Sequence, residues 1–461
     1  MNHPTNHGVA GPMNGFSEEL LSENFSNFFE GFFAGLAKGE HARVSLAAEN
    51  THFLRMSRGA VRQNGVVQDA QLQIQFLTDA GSTTEITLPF VCSGDALKAL
   101  VAGTLDTARR QMTGVPADPY ANKPSTRSTS RVAHAGKILA PEEAVDALLG
   151  QQKPGDDLVG IYAGGKTISA LADSAGMQHW FSSDSFFVDY SLWLKNGRAI
   201  KSSYAGRQWQ QADYLESLNQ ARANLELMSR EPRVLKPGNY RVFLAPSATS
   251  ELLGMFSWGA LAEGSIQRNE SPFCALRRGE KSFSSKFSLN ENFALGFAPR
   301  FSDDGELAPE CISLFENGRF VQALVSARTQ KEFGVPSNGV GSERLRTPDM
   351  ATGDLPLSEA FKALGTGLYL SDLHYLNWSD AIQGRVTGMT RYGCLWVENG
   401  VPVGPIVDMR FDETLFRCFG SELADVTCEA HVIPETTTYV RRALGGARVP
   451  GMLVNNFQFT L

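Results

Sequence analysis

The 461-residue chain has no cysteine pair at C-x-x-C spacing, no excess of positive charge and no long apolar run. Its six cysteines, Cys92, Cys274, Cys311, Cys394, Cys418 and Cys428, are scattered. That distribution fits buried thiols in a reducing compartment better than a disulfide framework. A formal net charge of −7 argues against a surface that tracks phosphates, so no nucleic-acid partner is expected. No stretch approaches the ~18 apolar residues of a membrane span. The first fifteen residues contain no Lys, no Arg and no apolar core, which excludes a secretory signal there. The expectation is a cytoplasmic protein with no membrane partner. Neither a G-x-S-x-G nucleophile elbow nor an H-E-x-x-H metal helix occurs.

What is present is ordinary globular material, 42% hydrophobic and 20% charged, long enough for two or three domains. Residues 1–15 read as a disordered tail, and His3 and His7 within it have the i,i+4 spacing of a metal pair without a structured setting. Phe25, Phe28, Phe29, Phe32, Phe33 and Leu36 recur at helical spacing and predict an amphipathic helix docked on a sheet. Alternating Leu72, Ile74, Phe76 and Ile86, Leu88, Phe90, around Asp79-Ala-Gly81, predict an antiparallel hairpin. Asn64-Gly65, Asn317-Gly318 and Asn399-Gly400 are read as hairpin turns, because Asn-Gly accepts positive φ. Helices are expected near 94–110 and 212–228, with an exposed connector over residues 122–137. The fold class is therefore α+β. An N-terminal α+β domain (residues 16–230) carries an antiparallel sheet and packed helices, and a β-rich C-terminal domain (231–461) is built of antiparallel hairpins.

Tyr240–Gly264 stands out as an apolar strand, a Pro246-Ser247 break and a glycine-punctuated helix. Ser247 is expected as its N-cap. Gly254 and Gly259 inside that helix suggest a close backbone approach that needs the side chains missing. Gly160 to Thr167 matches the phosphate-loop pattern G-x-x-x-x-G-K-[ST], and its alternative is a hairpin with a glycine-rich turn. The short segment after Thr167 favours the hairpin. Cys428-Glu-Ala-His431 and Asp372-Leu-His374 offer isolated ligands without the three convergent donors zinc requires. Asp303-Asp304-Gly305 groups carboxylates that suit acid–base work or, more simply, a turn.

The run Gly365-Thr-Gly367-Leu-Tyr-Leu-Ser-Asp-Leu, followed by Thr387-Gly388 and Tyr392-Gly393-Cys-Leu-Trp-Val-Glu398-Asn399-Gly400, resembles the TldD/PmbA family, whose PmbA branch is also called TldE. Arg300-Phe-Ser-Asp-Asp304-Gly305-Glu, Ser326-Ala327-Arg328 and Asp118-Pro-Tyr-Ala resemble other parts of the same family, so the likeness runs from about residue 42 to near the end. The resemblance implies dimeric cytosolic peptidases that cleave small or unfolded peptides. It also implies an H-E-x-x-x-H zinc motif on a central helix of the TldD branch, with a third ligand from a C-terminal cysteine. The corresponding positions here are Gly254, Met255 and Gly259, and the run Arg441–Pro450 contains no cysteine. The chain thus resembles the PmbA/TldE branch, with no catalytic residue and no metal or other cofactor of its own. Zinc is expected in a TldD-type partner, with a homodimer as the alternative assembly. Asp303, Asp304 and Asn377 are candidates for the wall of a peptide chamber. Two other readings remain: a regulatory protein such as a gyrase modulator, and a nucleotide enzyme built on Gly160–Thr167.

Overall fold

The structure is a computed structural model, and it describes residues 17–461 apart from Val91, Cys92, Thr126 and Pro154. The tail over 1–15, with His3 and His7, and the Cys92 thiol lie outside the described residues. In chain order the first half comprises α1 (Glu18–Ala34), β1 (Glu40–Ser57), β2 (Ala60–Thr78), β3 (Thr83–Pro89), α2 (Gly94–Gln111) and β4 (Thr129–His134). Then follow α3 (Pro141–Leu149), β5 (Asp157–Asp173), β6 (Gln178–Trp193), β7 (Ala199–Gly206) and α4 (Gln211–Met228).

Two compact units emerge. The first draws on residues up to Thr51, on Val66–Arg131 and on Thr167–Trp180. It takes strand segments from a seven-stranded sheet of order β3-β2-β1-β5-β6-β4, in which β7 also pairs with β6. Leu72 pairs with Leu88 and Ile74 with Ile86, as their alternation predicts. Helix α1 starts where Ser17 accepts from the Leu20 N–H (3.0 Å), and Glu18 and Glu19 complement the N-terminal dipole. Its Phe25, Phe28, Phe29 and Phe32 are buried with Leu72, Ile74, Phe76 and Trp180 in one core. Burying such aromatic rings, each worth about 1.5–3 kcal/mol, explains why this stretch docks on the sheet.

The second unit comprises His52–Gly65, Val132–Lys166 and Phe181–Leu461. Strands β6 and β7 pair antiparallel from Phe186↔Gly206 to Trp193↔Ala199, and Tyr162, Phe186, Trp209 and Tyr214 lie in the core beside them. The turn before β2 differs from the expectation. It is made by Arg58 (φ 53°) and Gly59 (φ 65°), while Asn64-Gly65 runs inside the strand. The Asn64 Oδ1 is spent on the His52 ring at 2.5 Å, a cross-strand contact that holds the residue extended.

The rest of this unit contains β8 (Gly238–Leu244), α5 (Pro246–Gly254), α6 (Glu263–Gln267), α7 (Cys274–Arg277), β9 (Leu289–Asn292), β10 (Cys311–Glu316), β11 (Arg319–Phe320) and α8 (Ala327–Phe333). It continues with β12 (Pro348–Met350), α9 (Ala360–Leu364), β13 (Gly367–Leu370), β14 (Asp372–Asp380), β15 (Arg385–Arg391), β16 (Leu395–Glu398) and β17 (Val401–Pro405). Strands β18 (Arg410–Thr414), β19 (Leu423–Pro434) and β20 (Gly446–Phe459) complete it. They form a thirteen-stranded sheet with the main order β11-β10-β9-β12-β20-β8-β13-β16-β17. The hairpins dominate as expected, and Asn317-Gly318 and Asn399-Gly400 both take positive φ. Two parallel pairings, β8 with β13 and β12 with β20, make the sheet mixed. The fold is α+β.

Candidate functional site

Strand β8 is paired on both edges, to β13 through Val242↔Leu368 and to β20 through Val242↔Val454. Its end is therefore held firmly, and the Ala245 N–H bonds the Leu370 carbonyl at 2.9 Å. Pro246 then opens α5 at its first turn, where a missing N–H costs nothing. Ala248, Thr249, Leu252 and Leu253 turn into the core. Ser247, Glu251 and Gly254 follow at i, i+4 and i+7 and so share another face. Ser247 does not cap the helix. It lies one residue past Pro246, and its Oγ donates to Asp372 Oδ1 at 2.9 Å, answering a carboxylate buried at the start of β14.

The helix ends sooner than the sequence suggests. Residues Met255–Ser257 tighten into a 3-10 turn, and Gly259 adopts φ +90°. The reason is the core beneath. Phe256 is fully buried, with its ring 5.0–6.0 Å from those of Phe273, Phe283, Phe287, Phe315 and Phe419. Gly254 is not there for close approach either, since a Cβ built on it meets nothing within 4 Å. Gly259 is required by its left-handed backbone.

Around this face lies a polar cluster. Lys201 on β7 has its Nζ 3.5 Å from Asp189 Oδ1 on β6. Burial alone would lower the Lys201 ammonium, but Asp189, Asp372 and Tyr392 outweigh it and raise it. Burial raises the Asp372 carboxyl, opposed by Lys201 and the Ser247 and Ser371 hydroxyls. Asp189 is raised by burial against the pull of Lys201. Glu251 reaches solvent; burial and the Asp372 charge raise it. His374 is held low by burial, by Arg391 and by Lys201. The cluster thus gathers three carboxyl groups, each raised by burial, with Lys201 and Arg391 as the nearby cations.

Zinc does not fit the residues of α5 and its turn. Gly254 and Gly259 have no donor, and Met255 is packed in the core. Among the described residues no group of three or more His, Cys, Asp or Glu is disposed to hold a metal. The exposed Cys428 Sγ contacts Glu429 Oε2 at 3.3 Å, and the His374 ring lies against that of Tyr375, with centroids 4.0 Å apart and planes tilted by 47°. In the loop before β20, Arg442 is buried instead, donating to the Ser185 carbonyl (2.8 Å), the Ser185 Oγ (2.8 Å) and the Gly165 carbonyl (3.1 Å).

The phosphate-loop reading fails, and so does its hairpin alternative. Gly160–Thr167 lies inside the single strand β5, with no loop and no following helix. The glycines answer neighbours: a Cβ on Gly160 would meet the Asp189 carbonyl at 2.5 Å, and one on Gly164 would meet the Tyr162 hydroxyl at 2.0 Å. Lys166 pairs with Asp184 at 3.3 Å. Asp303 and Asp304 occupy the turn closed by Ser302 N–H to the Glu306 carbonyl (2.9 Å), whereas Asn377 is exposed on β14 and its Oδ1 accepts from the Trp378 N–H (2.8 Å). Asp303 acts on Arg346, whose guanidinium is lowered by burial and supported by Glu291 and Asp303. Glu251, Lys201 and Asp189 were missed by sequence reasoning. Only the Ser247-x-x-x-Glu251 spacing was available to signal them, because the other members come from distant strands.

Residues 237–461 match the family model described as the PmbA/TldA metallopeptidase C-terminal domain. The C-terminal part of the chain belongs to the PmbA/TldD family. The whole chain shares its fold with solved structures of low sequence identity. TldE from Thermococcus kodakarensis is 14% identical with a TM-score of 0.74, over 95% of this chain and 100% of that one. A candidate modulator of a DNA gyrase from Thermotoga maritima is 16% identical with a TM-score of 0.73, over 95% and 100%. A candidate modulator of DNA gyrase from Bacteroides thetaiotaomicron is 15% identical with a TM-score of 0.71, over 97% and 100%. No curated protein matches the sequence. Membership of a metallopeptidase family makes the donor-free end of α5 the feature that a functional account must explain. Among the described residues no helix is long and apolar enough to cross a membrane.

Proposed function

We propose that this chain is the non-metal subunit of a TldD/TldE-type zinc metallopeptidase of the cytoplasm. It completes an enclosed chamber that cleaves small or unfolded peptides, while a TldD-type partner supplies the zinc and the catalytic base. The observation that carries this reading is the end of α5. By the family resemblance Gly254, Met255 and Gly259 take the positions of the zinc motif, and none offers a zinc donor or a general base. Asp303, Asp304 and Asn377 are assigned to the chamber wall. Co-expression with a TldD-type subunit, purification, zinc analysis and a peptide-cleavage assay test the proposal. A complex that cleaves peptides and carries zinc bound by the partner supports it. Cleavage by this chain alone, with stoichiometric zinc, overturns it.

The names of two similar structures, candidate modulators of DNA gyrase, favour a second reading as a regulatory protein without proteolytic role. A pull-down that retains gyrase and no TldD-type subunit decides for it.

A further inference from the structure

The first unit contains a pocket of about 320 Å³ between α1 and strands β4, β5 and β6. That volume lies at the small end of the ~300–1,000 Å³ typical of small-molecule sites. Phe25, Phe29 and Leu171 make an apolar floor, all buried. Ser22 and Ser26, one helical turn apart on α1, place hydroxyls at its side. The position of Arg131 gives the pocket its chemistry.

The Arg131 guanidinium lies over the buried Trp180 indole, 4.9 Å from the ring centroid. This cation–π contact fixes the plane of the group but uses none of its N–H donors. Its protein contacts are long: Nη1 donates to Ser22 Oγ at 3.3 Å, and Nη2 forms an ion pair with Glu18 Oε1 at 3.9 Å, longer than a hydrogen bond, while the side chain is more than half exposed. Glu18 Oε1 is taken instead by the Trp180 indole N–H at 2.8 Å. The imidazole of His179 is likewise occupied, by Ser130 Oγ at 2.8 Å and Ser128 Oγ at 3.1 Å. A planar cation is thus held at the edge of a cavity with an apolar floor and polar walls, with N–H donors facing solvent where a ligand can reach them. That geometry matches a carboxylate, which takes two parallel N–H bonds from one guanidinium.

We propose that this pocket binds a small amphipathic carboxylate, with the acid on Arg131 and an apolar body over Phe25, Phe29 and Leu171. The ligand is either a free organic acid or the C-terminal residue of a peptide. All its lining residues belong to the first unit and none to α5, so its test stands apart from that of the proposed function.

Isothermal titration of the full chain with 3-phenylpropionate, with its neutral amide 3-phenylpropanamide and with the tripeptide Ala-Ala-Phe provides the test. The acid is expected to bind saturably, and the amide about tenfold or more weaker. Arg131→Gln lowers affinity for the acid by about tenfold or more with the unfolding temperature retained, because it keeps a planar side chain over Trp180 without the charge. Ser26→Leu keeps Arg131 and fills the cavity, and it abolishes binding. Tighter binding of Ala-Ala-Phe than of the free acid assigns a peptide C-terminus; the reverse order assigns a free acid. No heat with either carboxylate at millimolar concentration overturns the proposal. So does an amide that binds as well as the acid, or affinity unchanged in Arg131→Gln or in Ser26→Leu.

Discussion

The Ser247 hydroxyl donates to Asp372 Oδ1 across 2.9 Å, joining the first turn of α5 to the first residue of β14, 125 positions later in the chain. It answers a buried carboxylate whose other neighbours are Lys201 and Ser371. Ser247→Ala therefore removes a donor from a charge that cannot reach water freely. The expected cost is about 1–3 kcal/mol of stability, read by urea unfolding, with Ser247→Thr restoring most of it because the hydroxyl returns. Equal stability of the alanine and threonine variants would show that the contact is dispensable.

The two glycines of the α5 region are expected to behave in opposite ways. Gly254 has helical angles, φ −54° and ψ −30°, and open space where a Cβ would stand. Gly254→Ala is expected to be neutral or to stabilise by up to about 1 kcal/mol. Gly259, at φ +90°, has a backbone that side chains resist. Gly259→Ala is expected to lose about 1–2 kcal/mol. Thermal unfolding of both variants checks the pair, and a destabilised Gly254→Ala would contradict the open space.

Glu291 is fully buried, with Oε1 accepting from the backbone N–H groups of Arg346 (2.9 Å) and Thr347 (3.1 Å) and Oε2 without a hydrogen-bond partner. Burial pushes its carboxyl up to about 7 from an ordinary 4.5, in spite of those bonds and of Arg346. The folded state then holds the proton more tightly than the unfolded chain. This group's contribution to stability is full below its unfolded value and is lost as pH rises through about 7. The loss amounts to ~3 kcal/mol. Glu291→Gln is expected to flatten the fall in stability between about pH 5 and about pH 8, as measured by urea unfolding across that range. A slope identical to that of the parent protein refutes the assignment.

Arg442 is buried and bonds three acceptors on Ser185 and Gly165. Arg442→Met keeps the stem and leaves those acceptors short of donors. A loss of about 2–4 kcal/mol is expected, and limited proteolysis should cut more readily in the loop over 435–445. Arg442→Lys, a point charge without the fork, recovers only part of the loss.

Much of the secondary structure was legible because it is local. Phe25, Phe28, Phe29 and Phe32 declare one helical face, and they are buried as a group. Asn317-Gly318 and Asn399-Gly400 turn the chain because both residues of each pair accept positive φ. Asn64-Gly65 offers the same letters and stays extended, since its side chain is claimed by His52. Gly160–Thr167 spells a phosphate loop and forms a strand, because its glycines accommodate Asp189 and Tyr162. His52 in the first case and Asp189 on the next strand in the second overrode a local pattern.

The α5 region divides along the same line. That Gly254, Met255 and Gly259 supply no zinc donor follows from residue type alone, since no packing adds an atom that a side chain lacks. Where the helix stops, which glycine is conformationally required and what surrounds the free face were settled by tertiary structure. Phe256 ends the helix by joining a phenylalanine core assembled from Phe273 to Phe419. Ser247 meets Asp372, Lys201 meets Asp189, and Glu251 feels the charges of Asp372 and Lys201, because the pairings of β8 with β13 and of β6 with β7 put those residues into place. Chemistry that belongs to a single residue could be read from the sequence. The electrostatic field of the cluster depends on distances between segments far apart in the chain, and only the folded sheet sets those.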